Sequence, residues 1–93
     1  MIIGVLKLEL YLPAPNSLKS KRFILKRIIE RLRNKFNISI SEVNHHDLWQ
    51  RSVIGVSVVG NDKRHINSVI DKVVDNIEAM HDVQVINYSL ELI

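Results

Sequence analysis

No cysteine occurs among the 93 residues, which excludes a disulfide framework, a thiol nucleophile and any thiolate-held metal or iron–sulfur site. With three glycines and two prolines there is no linker, repeat or low-complexity tract, and no glycine-rich phosphate loop. Long apolar runs are missing as well. The opening stretch MIIGVLKLELYL is interrupted by Lys7 and Glu9, so it reads as a strand, not as a signal peptide or a membrane span. Nor is there a nucleophile motif or a carboxylate pair, so an enzyme is not expected. Those absences point to a cytoplasmic setting with no membrane and no cofactor.

What remains is an ordinary globular composition, 46% hydrophobic and 25% charged, of a length that suits one domain over residues 1–93. The charge is unevenly placed. Between Ser17 and Asn37, eight bases face one acid, Glu30, for a local charge of +7; elsewhere five bases and nine acids give −4. A near-neutral chain with one strongly basic element invites an anionic partner.

Leu6, Leu8, Leu10 and Leu12 alternate with polar or aromatic residues, the period of a strand with one buried face; Pro13 and Pro15 end it. Ser17 is the expected N-cap of a helix of about five turns. Its apolar stripe is Leu18, Leu25, Ile28, Ile29, Leu32 and Phe36, with Asn37 as the stop. Strands follow at Ile38–Asn44 and Ser52–Val59, separated by the polar turn His45–Arg51. A second helix carries Ile66, Val69, Ile70, Val73, Val74 and Ile77. In the last strand Ile86, Tyr88, Leu90 and Leu92 alternate with Asn87, Ser89 and Glu91.

This β-α-β-β-α-β series predicts an α+β, ferredoxin-like two-layer sandwich. Both helices cover one face of an antiparallel four-stranded sheet of order 4-1-3-2. The other face, or a strand edge, is free for a homodimer. The topology should gather three segments at one pole: the Pro13–Ser17 loop with the helix start, the His45–Arg51 turn, and Met80-His81-Asp82.

The helix start is unusual. Lys19, Lys21 and Arg22 stand in its first two turns, where the macrodipole is positive and acids are preferred. Free backbone N–H groups with several cations suit phosphate or carboxylate. Lys19, Arg22, Lys26 and Arg33 recur at spacings of three, four and seven on one flank, with Phe23 off the apolar stripe. Cations beside an exposed aromatic match a nucleic-acid backbone and its bases. The expected anion or RNA contacts are therefore Ser17, Lys19, Lys21, Arg22, Lys26 and Arg33, with His45 and Arg51 helping at the pole. The plainer reading is a solvated basic face. The third strand has no stacking aromatics, so the sheet-face mode of an RRM is not expected. His45, His46, Asp47 and His81 lack the spacing of a metal site, and none is expected. Leu48 and Trp49 read as a hydrophobic plug over the sheet end.

The segments Ser17-Leu18-Lys19-Ser20-Lys21-Arg22, Arg31-Leu32-Arg33-Asn34-Lys35-Phe36-Asn37 and, above all, Asp47-Leu48-Trp49-Gln50-Arg51 resemble those of the YlxP-like family of small bacterial proteins, a domain of unknown function. The similarity spans essentially the whole chain. Ser20 stands where that family commonly has an acid, Phe23 where it has a base, and His46 where it has glutamine. The resemblance implies a ferredoxin-like fold, a bacterial cytosolic setting and genes placed beside translation-initiation and ribosome-maturation factors. The expectation that follows is a non-enzymatic accessory protein binding ribosomal RNA or the small ribosomal subunit. The alternative is a protein-interaction or small-anion-binding module.

Overall fold

The computed structural model describes residues 1–93. Its elements are β1 (Ile2–Tyr11), α1 (Leu18–Lys35), β2 (Ser39–Asn44), β3 (Arg51–Gly60), α2 (Lys63–Glu78) and β4 (Gln84–Leu92). The strands form one antiparallel sheet in the order β2-β3-β1-β4, which is the expected order read from the opposite rim. Both helices lie on the same side of it, so the molecule is a two-layer α+β sandwich.

Leu6, Leu8, Leu10 and Leu12 are buried, as their alternation requires, and point into one cluster of 18 apolar residues. From β3 come Ile54, Val56 and Val58; α2 adds Ile66, Ile70, Val73, Val74 and Ile77. Gly4 is where α2 comes closest to the sheet. A β-carbon there would stand 2.5 Å from Ile66 Cγ2 and 2.9 Å from Ile70 Cδ1, so only glycine allows this approach.

Ser17 caps α1: its Oγ accepts from the Ser20 N–H at 3.1 Å. The helix stops at Lys35, two residues before the expected Asn37, because Phe36 swings into an extended conformation. Arg33 and Lys35 in the last turn suit the negative end of the helix dipole.

The apolar stripe of α1 differs from the expected one in an informative way. Its buried positions are Lys21, Ile24, Leu25, Ile28 and Leu32. Spacings of four, three and four from Lys21 through Leu25 and Ile28 to Leu32 make Lys21 the first core-facing rung, occupied by a charge.

The last strand departs as well. By register, Tyr88 and Leu90 lie opposite Leu8 and Leu6, hence on the helix side of the sheet. Yet Ile86, Tyr88 and Leu90 remain 45%, 51% and 40% exposed. Position on the outer rim, past the cover of α2, accounts for it.

Candidate functional site

The site is best assembled outward from Lys21. This side chain has no solvent exposure; its Nζ donates to the His45 carbonyl at 2.5 Å and pairs with Glu42 Oε2 at 2.9 Å. Ser52, also buried, donates to the same carboxylate oxygen at 2.6 Å. Taking an ammonium out of water is costly unless its donors are met and its charge is balanced. Both conditions hold here, and no buried side-chain polar atom lacks a partner. Lys21 is thus an internal strut between α1 and the β2–β3 hairpin. That corrects the expectation that it reaches toward an anion: the protein's own acid neutralises it.

The strut fixes an irregular backbone. His45 has φ of 62°, the left-handed region that costs a residue with a β-carbon something unless the surroundings hold it. Asn44 Oδ1 accepts from the His45 N–H at 2.8 Å, while the His45 carbonyl accepts from both Lys21 Nζ and the Leu48 N–H. On the other side of the hairpin, Gln50 Nε2 donates to the Pro13 carbonyl at 2.7 Å, and Leu12 N–H to the Gln50 carbonyl at 2.9 Å. The Pro13–Ser17 loop, the start of α1 and the hairpin are therefore tied together at one pole, as the topology predicts. The third segment reaches the same end of the sheet, since Gln84 pairs with Tyr11, but no side-chain hydrogen bond or ion pair ties it to the hairpin. Asp82 pairs with Arg27, more than two turns into α1.

This rigid hairpin holds its apolar tip in solvent. Trp49 is 53% and Leu48 42% exposed, so neither plugs the sheet end. The plug reading fails because Leu12 already closes the core at that level, fully buried. Phe23 on α1, 69% exposed, is a second aromatic turned to water.

Of the remaining expected site residues, Lys19, Arg22, Lys26 and Arg33 are exposed. Arg22, Lys26 and Arg33 line one shallow groove of about 340 Å³ between α1 and β2, with Leu25, Ile29, Glu30 and Glu42. Arg33 is partly committed, since its Nη2 donates to the Ile40 carbonyl at 3.2 Å. Lys19, Arg22, Lys26 and Arg31 make no ion pair; the acid-paired cations of α1 are Lys21 and Arg27. Arg31 was not among the expected contacts, though it sits four residues from Arg27 on the outer face.

His45 and Arg51 go elsewhere. Arg51 opposes Tyr11 in the sheet register, on the face away from the helices. There its guanidinium stands 5.9 Å from the Tyr11 ring centroid and 3.8 Å from Glu9 Oε1. The His45 imidazole is 3.9 Å from Glu9 Oε2 on that same face, beside Lys7, Asn87 and Ser89 in a polar hollow of about 310 Å³. Strand parity explains the separation: Ser52 faces the helices and meets Glu42, so Arg51 must face away. His46 turns from His45 toward the Glu42 carbonyl, 3.2 Å away. No three metal-ligating side chains converge. No helix is long and apolar enough to cross a membrane.

Comparison with known proteins agrees with the residues that suggested the family. A family model described as a protein of unknown function (DUF503) matches residues 3–90. The uncharacterized protein YlxP of Bacillus subtilis (strain 168) is 35% identical over 83 residues, which cover 89% of this chain and 90% of that one. With the match running through the basic helix, the buried strut and the tryptophan hairpin alike, the chain belongs to this YlxP-like family of proteins of unknown function.

Proposed function

We propose that this protein is a non-enzymatic, cytoplasmic accessory factor with a ferredoxin-like scaffold that binds RNA, ribosomal RNA or the small ribosomal subunit being the expected target. One observation carries the reading. Four cations of α1, Lys19, Arg22, Lys26 and Arg31, are displayed to solvent with no acid paired to them. Lys19, Arg22 and Lys26 form a ladder on one flank of the helix, with Arg31 round on its outer face, and a phosphate backbone laid along that flank releases its counterions. Phe23 and Trp49 add flat apolar surface on which unpaired bases can stack. Phosphate contacts of this type give affinity and orientation without reading sequence.

The contact set shifts from the one expected on sequence. Lys21 leaves it as a structural residue, Arg31 and Trp49 enter, and Ser17 acts as a cap. His45 and Arg51 belong to the opposite face.

Titration with a structured ribosomal RNA fragment at two salt concentrations tests this reading. The wild type should bind with a steep salt dependence. Arg22→Glu with Lys26→Glu should weaken binding and reduce the slope of log K against log salt by about one and a half to two. Binding insensitive to both salt and these substitutions ends the proposal. Retention of inorganic phosphate without RNA would favour a small-anion module instead.

A further inference from the structure

The two rims of the sheet are finished differently. On β2 the outward carbonyls are taken: Ile40 O accepts from Arg33 at 3.2 Å, and Glu42 O lies 3.2 Å from His46 Nε2. Such covering is how native sheets avoid pairing at an edge. On β4 no side chain bonds the backbone between Gln84 and Leu92, and there is neither a proline nor a lysine. Ile3 and Ile93 exchange both of their backbone hydrogen bonds, at 2.9 and 2.8 Å. By the alternation of an antiparallel ladder, Ser89 and Glu91 then also face β1, while Tyr88, Leu90 and Leu92 turn their N–H and C=O groups to the open rim. Of these, Tyr88 and Leu90 carry exposed apolar side chains, and Leu92 is half-buried against the core.

We propose that β4 pairs with β4 of a second copy of this chain, antiparallel about a two-fold axis through Leu90, making one continuous eight-stranded sheet. A second copy is the occupant that fits because the strand is complementary to itself. With Leu90 on the axis, Tyr88 faces the second copy's Leu92 on the helix side, apolar against apolar. On the opposite face Ser89 lies against the second copy's Glu91. Within the chain Ser89 is already the partner of Lys7. Lys7, Ser89 and the second copy's Glu91 therefore form a row across three strands. At about 4.8 Å between strands, the lysine and glutamate backbones stand roughly 10 Å apart, a span their extended side chains can close. Neither Lys7 nor Glu91 has an ion-pair partner within the chain. The symmetry makes two such pairs. Slipping the axis to Ser89 would instead put the second copy's Glu91 opposite Asn87, in a row with Glu9, acid beside acid. The charges thus select one register. An isologous contact of this kind closes after two subunits.

Sedimentation velocity from about 5 to 200 μM tests the proposal without reference to RNA. The wild type should sediment as a species of twice 10.8 kDa over part of that range. Leu90→Asp should be monomeric throughout with an unchanged circular dichroism spectrum; if it misfolds, Tyr88→Lys on the same rim takes its place. Lys7→Glu should raise the dimer dissociation constant roughly tenfold, and Lys7→Glu with Glu91→Lys should restore it. A wild type that stays monomeric overturns the proposal. So does a dimer indifferent to the rim substitutions, or a charge swap that fails to rescue. An RNA-binding monomer would leave the function proposed above standing.

Discussion

Lys21 Nζ lies 2.9 Å from Glu42 Oε2 and 2.5 Å from the His45 carbonyl, so one buried ammonium joins α1 to both ends of a backbone irregularity. The hairpin that bears Trp49 is positioned from inside the protein by the helix that bears the exposed cations. Display of the outer residues depends on this inner contact.

Removing the strut should therefore cost stability. Lys21→Ala leaves the Glu42 carboxylate without its cation and the His45 carbonyl with the Leu48 N–H alone, and about 2–4 kcal/mol of unfolding free energy should be lost. Lys21→Met with Glu42→Leu, which removes both charges, should recover most of it. Urea denaturation followed by circular dichroism measures both. A single-variant loss under about 0.5 kcal/mol, the scale of an exposed lysine, would contradict the assignment.

At His45 the backbone itself sets the outcome. His45→Gly should be neutral or stabilising by up to about 1 kcal/mol, since glycine takes a positive φ without strain. His45→Val should destabilise by about 1–2 kcal/mol, because a β-branched residue resists that region. The same denaturation assay ranks the three proteins.

Gly4→Ala should destabilise by about 1–3 kcal/mol, as Ile66 and Ile70 of α2 must move to admit the methyl group. A companion Ile70→Val, which removes the Cδ1 that a β-carbon at Gly4 would meet at 2.9 Å, should lessen the cost of the alanine. Thermal unfolding of the two single variants and the pair gives the coupling between them.

Trp49 offers a direct optical readout, being the single tryptophan of the chain. Stacking on an unpaired base should quench its fluorescence during titration with single-stranded RNA. Trp49→Ala should weaken that binding by about 1–3 kcal/mol while leaving thermal stability within about 0.5 kcal/mol of wild type. RNA binding with no spectral change would place the contact elsewhere on the surface.

Much of this architecture could be read from residue periods. The alternating leucines and the two prolines place β1, the Ser17 cap places the start of α1 and the apolar stripe places α2, and six elements in that order leave few ways to fold. Burial of Lys21 was hidden because a period analysis assigns every charge to water. The clue lay in extrapolating the Leu25–Ile28–Leu32 spacing backward, which lands on Lys21. Its partner, Glu42, sits on another element and is invisible to local reading. The exposure of Tyr88 and Leu90 has a similar cause: alternation tells which side of a sheet a residue takes, not where the covering helix ends. Leu48 and Trp49 looked like a plug for the same reason, since hydrophobicity alone does not reveal that Leu12 had already filled the place. The separation of Arg51 from the α1 cations follows from strand parity, but only once the register of β3 is known.

The capped carbonyls of Ile40 and Glu42 have a consequence for crowding. A sheet sticky along both rims can recruit neighbours without limit and grow into ribbons. Here the outward carbonyls of one rim are taken by the protein's own arginine and histidine, so lateral growth is left a single direction, and the β4 pairing proposed above would end it after one addition. At high concentration this chain should remain in solution as discrete particles, not thicken into fibres.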